Sequence, residues 1–282
     1  MQRGGRATVK MVGYHPSNPE RKNLPTILST VSAYDTHSGR LLGLADATFL
    51  TALRTGAASA IASQAMAIDE SCTIGLIGAG AQAMTQLHAL SRCFDIKQVY
   101  VYDVNPAVCD SFFERVAFMG LNLTSITANN LDQLVRQADI ICTTTSVDIG
   151  AGPVFHDGET KPHLHINAVG SDFPGKTEIP ISLLKRSFVC PDFPEQAFKE
   201  GECQQLNQAE VGPSLVDLVQ NPAAYSDVKH RLTIFDSTGW ALEDQIAMEM
   251  LLDYAADLGL GTTMQIESSC LDPYNPYQFV RV

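Results

Sequence analysis

A chain of 282 residues with 45% hydrophobic side chains can form one large domain or two smaller ones, with a sizeable core. Its formal net charge of −12 argues against binding to nucleic acid or to anionic membranes. The sequence has no apolar stretch of transmembrane length and no signal-peptide core, and its seven cysteines are scattered as reduced core thiols are. We therefore expect a cytoplasmic protein.

The first third of the chain predicts a small β-structure followed by a helix. Residues 26–34 and 41–44 are rich in apolar and β-branched side chains and flank a turn-forming stretch, which indicates a hairpin. Residues 48–67 carry alanine and leucine at helical spacing around a single charged residue, Arg54. Because alanine is small, we expect this helix to pack closely against its neighbours.

Residues 73–83 predict a buried strand that ends in a dinucleotide-binding turn. The strand is apolar and uncharged, and the turn reads Gly-x-Gly-x-x-Ala, from Gly78 to Ala83. Gly78 permits the tight turn and Gly80 lets the backbone approach a pyrophosphate. Ala83 lets the next helix pack on the strand, with its amide groups and dipole directed at the phosphates.

A second predicted strand, 99–102, ends at Asp103, which lies 23 residues after Gly80. An acidic residue about 20 residues after the turn commonly binds the ribose hydroxyls of a dinucleotide. Such a carboxylate repels a 2′-phosphate, so NAD is favoured over NADP. The alternative is an ordinary strand-turn-helix unit with Asp103 as a loop carboxylate.

The rest of the chain alternates strands and helices, which predicts an α/β fold with a Rossmann-type doubly wound parallel sheet. Ligands bind at the carboxyl ends of such strands, where 143–146 and 170–172 fall. A final helix is expected over 240–258. The expected strands are 73–78, 98–102, 138–143, 164–169, 186–190 and 232–235, and the expected helices of this region are 81–92, 106–118 and 130–137.

Two other patterns in the sequence suggest different sites. Residues 170–177 match the Gly-x-x-x-x-Gly-Lys-Thr phosphate loop of nucleoside triphosphatases, but Pro174 removes a backbone donor and Pro180 would break the helix that this loop requires. His163 and His165 are spaced like metal ligands, but no nearby cysteine or third histidine supports them, and we expect no metal.

Four stretches of the chain, in order, match the pattern of one known family: 50–59, 78–83, 169–178 and 235–244. Through them the sequence resembles the ornithine cyclodeaminase/μ-crystallin family over nearly its whole length. Residues 200–206 and 10–16 are more similar to ornithine cyclodeaminase proper than to its alanine dehydrogenase or ketimine reductase relatives.

This resemblance implies a reaction and a cofactor. The family enzyme converts ornithine to proline and ammonia without net redox change, as a step of proline biosynthesis. NAD takes a hydride from the α-carbon of the amino acid and later returns it to the cyclic imine. The expected partners are therefore a small amino acid, with ornithine favoured, and a second copy of the chain in a homodimer.

The resemblance also implies roles for individual residues. Asp172 matches the proton-transferring aspartate, and Lys10, Arg54 and Thr238 match substrate-binding positions. A guanidinium in an alanine-rich helix suits a carboxylate ligand, and a structural salt bridge is the alternative role for Arg54. Lys10 could be a solvated lysine, and Asp172 could simply cap a turn.

Cofactor-binding positions follow from the same resemblance. For the threonines and the serine, hydrogen bonding at strand ends is the alternative role. The positions are Thr26, Arg54, Gly78, Gly80, Ala81, Gln82, Asp103, Thr144, Asn167, Ala168, Val169, Gly170, Lys176 and Ser237.

The resemblance also implies a division into domains. We expect a discontinuous α+β substrate and dimerisation domain formed by 1–60 and 240–282, and an NAD-binding Rossmann domain over 61–239. Family members usually carry some fifty further residues before the lysine motif, whereas Lys10 is the tenth residue here. Either the start is misassigned, or the chain is an N-terminally shortened form, in which case an incomplete substrate domain is expected.

Two other functions stay open at this stage. One is net redox on an amino or imino acid by an alanine dehydrogenase or a ketimine/pyrroline-2-carboxylate reductase of the same family. The other is a non-catalytic protein that binds a dinucleotide or another small ligand. The sequence does not fix the substrate, because ornithine selectivity depends on how one distant amine is bound.

Overall fold

The computed structural model describes residues 2–3, 5–128, 130–267, 269–275 and 277–280. It contains a parallel sheet covered by helices and a smaller antiparallel sheet. The strands are β1 (Gln2–Arg3), β2 (Arg6–Tyr14), β3 (Ile27–Asp35), β4 (Leu41–Asp46), β5 (Thr73–Ile77), β6 (Gln98–Tyr102), β7 (Thr124–Thr127), β8 (Ile140–Thr143), β9 (His165–Ala168), β10 (Phe188–Pro191), β11 (Thr233–Asp236), β12 (Ser269–Cys270) and β13 (Phe279–Val280).

The helices connect these strands and cover both faces of the parallel sheet. They are α1 (Asn18–Lys22), α2 (Thr48–Met66), α3 (Ala81–Leu90), α4 (Pro106–Asp110), α5 (Phe112–Val116), α6 (Leu131–Gln137), α7 (Ile181–Lys185), α8 (Pro194–Glu200), α9 (Leu215–Gln220) and α10 (Ala241–Leu258). A short 3-10 helix, Glu202–Gln205, follows α8.

The large sheet has the order β10-β11-β9-β8-β5-β6-β7, and its neighbouring strands pair in parallel. Strands β5, β8, β9 and β11 are buried at every position, because helices cover both faces of a doubly wound sheet. From β5 the chain proceeds to β6 and β7 on one side of the sheet. From β8 it proceeds to β9, β10 and β11 on the other side. The crevice at the carboxyl ends of β5 and β8 is therefore the expected ligand site, and the predicted Rossmann-type sheet is confirmed.

Helix α2 packs against α3, as its small residues predicted. A side chain at Gly56 would place its Cβ 2.5 Å from the carbonyl oxygen of Thr85, so the two helices meet backbone to backbone. The domain boundary predicted at residue 60 falls inside α2. The division into two domains stays a prediction.

The antiparallel sheet has the order β1-β2-β3-β4 and contains the predicted hairpin of β3 and β4. One face packs on α10, where Val31 and Ala33 contact Met248. The same face carries Lys10, which pairs in register with Val31. The opposite face is directed away from α10.

Three local features differ from what the sequence predicted. The polar stretch 15–25, for which no helix was predicted, contains the helix α1, which has proline in its first turn. The helix expected over 106–118 is divided at Ser111, whose hydroxyl donates to the carbonyl of Val108 at 3.2 Å and competes with the helical ladder. The largely exposed edge strand β7 was not predicted. No helix of the described residues is long and apolar enough to cross a membrane.

Candidate active site

The glycine-rich turn joins the ends of β5 and β8. Gly78 has φ +93°, and a Cβ there would lie 2.8 Å from the carbonyl oxygen of Thr144, so only glycine fits. The Thr144 hydroxyl in turn donates to the Gly78 carbonyl at 3.0 Å. The predicted turn thus lies at the point where the strand order reverses.

The surroundings of this turn fit a bound dinucleotide. No heavy atom lies within 4 Å of a Cβ built on Gly80, so the backbone is open on that side. Helix α3 begins at Ala81 without a side-chain cap, which leaves its first amide groups free to bind an anion. The hydroxyl of Ser237 is buried and has no hydrogen-bond partner among the described residues. A polar ligand would satisfy both sets of groups.

Asp103 is fixed beside the turn at the end of β6. Its Oδ2 accepts from the backbone N–H of Ala79 at 2.8 Å, and its Oδ1 accepts from that of Asn105 at 2.8 Å. The guanidinium of Arg115 donates to the Ala79 carbonyl at 2.7 Å, and burial lowers the pKa of this arginine. A carboxylate with its cationic neighbour therefore borders the expected ribose position.

The other predicted cofactor positions are distributed along the sheet. The side chain of Asn167 donates to Ser63 of α2 at 2.9 Å, and its backbone lies within β9, which pairs with β8 and β11. Gln82 accepts from the Thr85 hydroxyl at 3.0 Å, and the Thr26 carbonyl accepts from a backbone N–H. Ala168, Val169 and Gly170 end or follow β9 and are buried. These roles stay predictions.

Lys10 and Arg54 form a buried ion cluster with the start of α10. Lys10 Nζ lies 2.6 Å from Asp244 Oδ2, and Arg54 Nε lies 2.9 Å from Asp244 Oδ1. Arg54 Nη1 lies 2.9 Å from Glu243 Oε2. Burial, followed by the charge of Arg54, lowers the pKa of Lys10. Burial raises the pKa of Glu243 to about 7, against the opposing effect of Arg54.

The loop after β11 is held against Arg54. Gly239 has φ +89°, and a Cβ there would lie 2.7 Å from Arg54 Nη2. The carboxylate of Asp192 accepts from the backbone N–H groups of Thr238 and Gly239 and from the Thr238 hydroxyl, at 2.8, 2.7 and 3.0 Å. Asp192 thus fixes the predicted substrate-binding Thr238 beside Arg54.

Asp172 lies in the loop after β9 and pairs with Lys176 at 2.9 Å. Burial acts to lower the pKa of Lys176, but the charge and hydrogen bond of Asp172 outweigh it, so this pKa is raised. The same ammonium lies 5.1 Å from the centre of the Tyr14 ring. The pair therefore contacts the end of β2.

Strand β2 relates this pair to the cation cluster. Lys10 and Tyr14 are four residues apart on one strand, so they share a face and are separated by about 13 Å. Lys10 thus binds the cluster of Arg54, while Tyr14 contacts the lysine that pairs with Asp172. This arrangement is compatible with one pocket for both groups, which stays a prediction.

Several residues of this site were not singled out from the sequence. Glu243 and Asp244 lie in the quoted stretch 235–244, and a pair of carboxylates at a helix start was the available signal. Glu200 ends α8, and its Oε1 accepts from Gln196 Nε2 at 2.6 Å. The same Gln196 amide lies 3.3 Å from the Thr238 carbonyl, so Glu200 lies near the substrate loop.

A groove of about 710 Å³ runs between α2, α9 and α10 and reaches the cation cluster at Arg54 and Glu243. Leu53, Ile246 and Met250 are among the apolar side chains that line it.

The two histidines have ordinary partners. His165 is buried against the Thr233 hydroxyl at 2.8 Å and Asn167 Oδ1 at 3.2 Å, and burial lowers its pKa to about 4. His163 lies 3.4 Å from Asp139. In the part of the chain that the structure describes, no three His, Cys, Asp or Glu side chains are grouped as metal ligands.

A sequence profile of the ornithine cyclodeaminase/mu-crystallin family matches residues 1–258. The chain belongs to this family. The resemblance inferred from the sequence is therefore confirmed at the level of the family.

The chain is similar to three proteins of known activity or structure. L-lysine cyclodeaminase of Streptomyces rapamycinicus is 47% identical over 96% of this chain and 78% of its own length. A solved lysine cyclodeaminase, described as recognising L-lysine, L-ornithine and L-2,4-diaminobutyric acid, has a TM-score of 0.95 at 49% identity, over 99% of this chain and 80% of that one. An archaeal alanine dehydrogenase dimer with bound NAD has a TM-score of 0.82 at 32% identity, over 94% of this chain and 82% of that one.

Proposed function

We propose that this protein is an NAD-dependent cyclodeaminase of an α,ω-diamino acid, which it converts to a cyclic secondary amino acid and ammonia without net redox change. Ornithine, with proline as product, is the substrate that the sequence favours. Lysine is its direct competitor, because the lysine cyclodeaminase of Streptomyces rapamycinicus is 47% identical to this chain. The observation that carries the proposal is the convergence of Lys10 and Arg54 on the carboxylate of Asp244, with Arg54 held against Gly239, the residue after Thr238.

The cation cluster suits an α-carboxylate. Asp244 holds one edge of the Arg54 guanidinium and one side of the Lys10 ammonium. Among the described residues, no protein group accepts a hydrogen bond from Arg54 Nη2, so this donor is free for a ligand. A guanidinium and an ammonium on one side of a pocket would bind and orient a carboxylate.

Two further carboxylates suit the amines of such a substrate. Asp172, with Lys176 beside it, would hold and move a proton at the reacting nitrogen. Glu200 has no cationic partner among the described residues, and it lies near the loop of Thr238. A carboxylate there would bind the ω-ammonium, which an alanine side chain lacks.

NAD is the proposed cofactor, held by the turn at Gly78 and Gly80, the start of α3 and Asp103. Bound NAD would supply a hydride acceptor and donor, so no net reductant is consumed. The anionic Asp103 favours NAD over NADP.

The deciding experiment incubates the full chain with catalytic NAD and ornithine or lysine. Proline or pipecolate and ammonia are assayed together with absorbance at 340 nm. We expect equal amounts of the cyclic product and ammonia and no accumulation of NADH. Stoichiometric NADH with alanine, or its consumption with pyrroline-2-carboxylate, would instead identify a net oxidoreductase.

The same assay separates an enzyme from a ligand-binding protein. If NAD binds but no amino or imino acid is converted, and Asp172→Asn changes nothing measurable, the protein is a non-catalytic dinucleotide-binding member of the family. We expect instead that Asp172→Asn retains NAD binding and loses turnover.

We also infer that the protein is a homodimer. Its expected location is the cytoplasm. Val9, Met11 and Leu44 are 53%, 69% and 66% exposed on the face of the antiparallel sheet opposite α10. The open face of such a sheet is usually polar, so this apolar patch suits a second copy. Sedimentation should show a dimer that Met11→Lys with Leu44→Glu dissociates, whereas Phe118→Lys, an exposed position elsewhere, does not.

A further inference from the structure

Three buried carboxylates form a series at the carboxyl edge of the parallel sheet. Asp236, Glu202 and Glu178 are each fully buried. Each accepts hydrogen bonds from backbone N–H groups of a different segment. We call Asp236, Glu202 and Glu178 the carboxylate series.

The first link starts at the end of β11. Asp236 accepts from the backbone N–H groups of Glu202 and Cys203 at 2.9 and 2.8 Å. A Cβ on Gly201 would lie 2.5 Å from Asp236 Oδ2, so the approach requires glycine. Asp236 therefore fixes the start of the 3-10 helix that follows α8.

The second link runs from this helix to the end of the Asp172 loop. Glu202 accepts from the backbone N–H groups of Glu178 and Ile179 at 2.7 and 3.3 Å. Its Oε2 also accepts from Gln205 Nε2 at 2.7 Å. The position of Glu178 thus depends on Glu202.

The third link connects Glu178 to the ends of two strands. Its Oε1 accepts from the backbone N–H and the hydroxyl of Thr145, after β8, at 2.8 and 2.6 Å. Its Oε2 accepts from the backbone N–H of Gly170, after β9, at 2.8 Å. A Cβ on Gly170 would lie 2.5 Å from Glu178 Cδ, so a larger residue would displace the carboxylate.

Glu178 thereby closes the loop that contains Asp172. Gly170 and Glu178 are the two ends of this loop, and the Glu178 side chain bonds one end to the other. Inside the loop, the Ser171 hydroxyl donates to the Lys176 carbonyl at 2.6 Å. The backbone of the loop is therefore held at both ends and inside, which restricts the position of the Asp172 carboxyl group.

No close ion pair offsets the charge of the series, although the ammonium of Lys176 interacts with Glu178 at longer range. Among the described residues, no Lys, Arg or His forms an ion pair with any of the three carboxylates. Burial raises the pKa of Asp236 to about 7 and also raises the pKa values of Glu202 and Glu178. Burying carboxyl groups is costly, and apolar side chains at these three positions would stabilise the core at least equally. The three carboxylates instead accept hydrogen bonds from loops at the carboxyl edge of the sheet, where a ligand is expected.

We propose that the carboxylate series positions the Asp172 loop for proton transfer, with Glu178 as the positioning residue that joins this loop to the ends of β8 and β9. The inference rests on the proposed function, which makes Asp172 the group that transfers protons.

The test uses the full chain with NAD bound. Glu178→Gln replaces one acceptor oxygen by a donor that faces a backbone N–H. We expect kcat for the diamino acid to fall about 10- to 100-fold, as a displacement of about 1 Å would produce, with KM and the Kd of NAD unchanged. The matched control is Glu210→Gln, an exposed carboxylate of a helix cap, which should behave as wild type.

A second pair of variants tests the link without altering the buried carboxylate. Thr145→Val removes only the hydroxyl that donates to Glu178, whereas Thr145→Ser retains it. We expect the valine variant to lose kcat and the serine variant to keep it. If Glu178→Gln and Thr145→Val lower Tm but leave kcat per NAD-binding site unchanged, the series only stabilises the fold and the proposal is overturned.

A readout that needs no turnover separates this proposal from the proposed function. If wild type converts no amino acid, the proposed function fails, and amide hydrogen exchange of 170–178 still decides the positioning. Faster exchange in this loop for Glu178→Gln but not for Glu210→Gln is expected. Equal exchange in the two variants would overturn the inference.

Discussion

Lys10 and Arg54 bind opposite oxygens of one carboxylate, at 2.6 and 2.9 Å from Asp244. One cation comes from a strand of the antiparallel sheet and the other from the helix that packs on the nucleotide-binding fold. Asp244 therefore fixes their separation before any substrate arrives. Such preorganisation reduces the cost of binding a carboxylate.

The first prediction concerns this shared carboxylate. Asp244→Asn retains one acceptor oxygen, so only one cation can be held as before. We expect kcat/KM for the diamino acid to fall about 10- to 100-fold, mainly through KM, because hydrogen bonds to charged groups contribute about 1.5–3 kcal/mol. Tm should also fall, because breaking a buried ion pair costs stability.

Asp253→Asn is the matched control on the same helix. Asp253 pairs with Arg6 at 3.4 Å, and both side chains are largely exposed. Exposed pairs contribute little, so kinetics and Tm should stay at wild-type values. Equal KM values for the two variants would refute the role of Asp244.

The second prediction is a pH dependence set by Glu243. Burial raises its pKa to about 7, so this carboxyl group is neutral below that pH and cancels part of the Arg54 charge above it. A ligand carboxylate should therefore bind more tightly at pH 6 than at pH 8. Inhibition by L-proline, a zwitterion over this range, measures the effect with the NADH-bound protein.

Glu243→Gln should remove most of this dependence, because an amide does not titrate. Glu114→Gln, an exposed carboxylate of α5, should retain it. An inhibition constant for proline that is independent of pH in wild type would contradict the assignment.

The sequence was informative where a local pattern determines the structure. The apolar run before Gly78 predicted a buried strand, and the spacing of Gly78 and Gly80 predicted a turn that the structure places where the strand order reverses. The position of Asp103 directly after β6 was also predicted, because the apolar run of 99–102 indicated a second strand that ends there.

Long-range pairings were beyond the sequence. Asp244 lies in a stretch that was recognised, but its partners Lys10 and Arg54 are separated from it by most of the chain. The carboxylate of Glu178 was missed because its acceptor role depends on two backbone amides at the ends of neighbouring strands. The helix predicted over 106–118 is interrupted at Ser111 because the Ser111 hydroxyl competes with backbone N–H groups for the Val108 carbonyl.

The third prediction concerns cofactor choice. Asp103→Ser removes a carboxylate that would bind the ribose hydroxyls and repel a 2′-phosphate. We expect the Kd of NAD to rise about 10- to 100-fold and the preference over NADP to fall, since Arg115 then lacks its anionic neighbour. Fluorescence titration with both reduced cofactors measures this.

Asp110→Ser, an exposed aspartate at the end of α4, is the control and should leave both affinities unchanged. An undiminished preference for NAD in Asp103→Ser would show that another group excludes the 2′-phosphate.

The fourth prediction concerns the choice between diamino and monoamino acids. Glu200→Gln keeps the size of the side chain and removes the charge that would bind an ω-ammonium. KM for ornithine and lysine should rise about 10- to 100-fold, whereas the Kd of NAD should stay constant. Glu195→Gln, exposed on the same helix, is the matched control.

The comparison with a monoamino ligand makes this test specific. Proline has a carboxylate but no ω-ammonium, so its inhibition constant should be the same for wild type and Glu200→Gln. A parallel loss of proline binding would mean that Glu200 holds the loop of Thr238 through Gln196 and does not contact the substrate amine. Selective loss of diamino acids would place the recognition of the ω-ammonium at the end of α8, near the loop of Thr238.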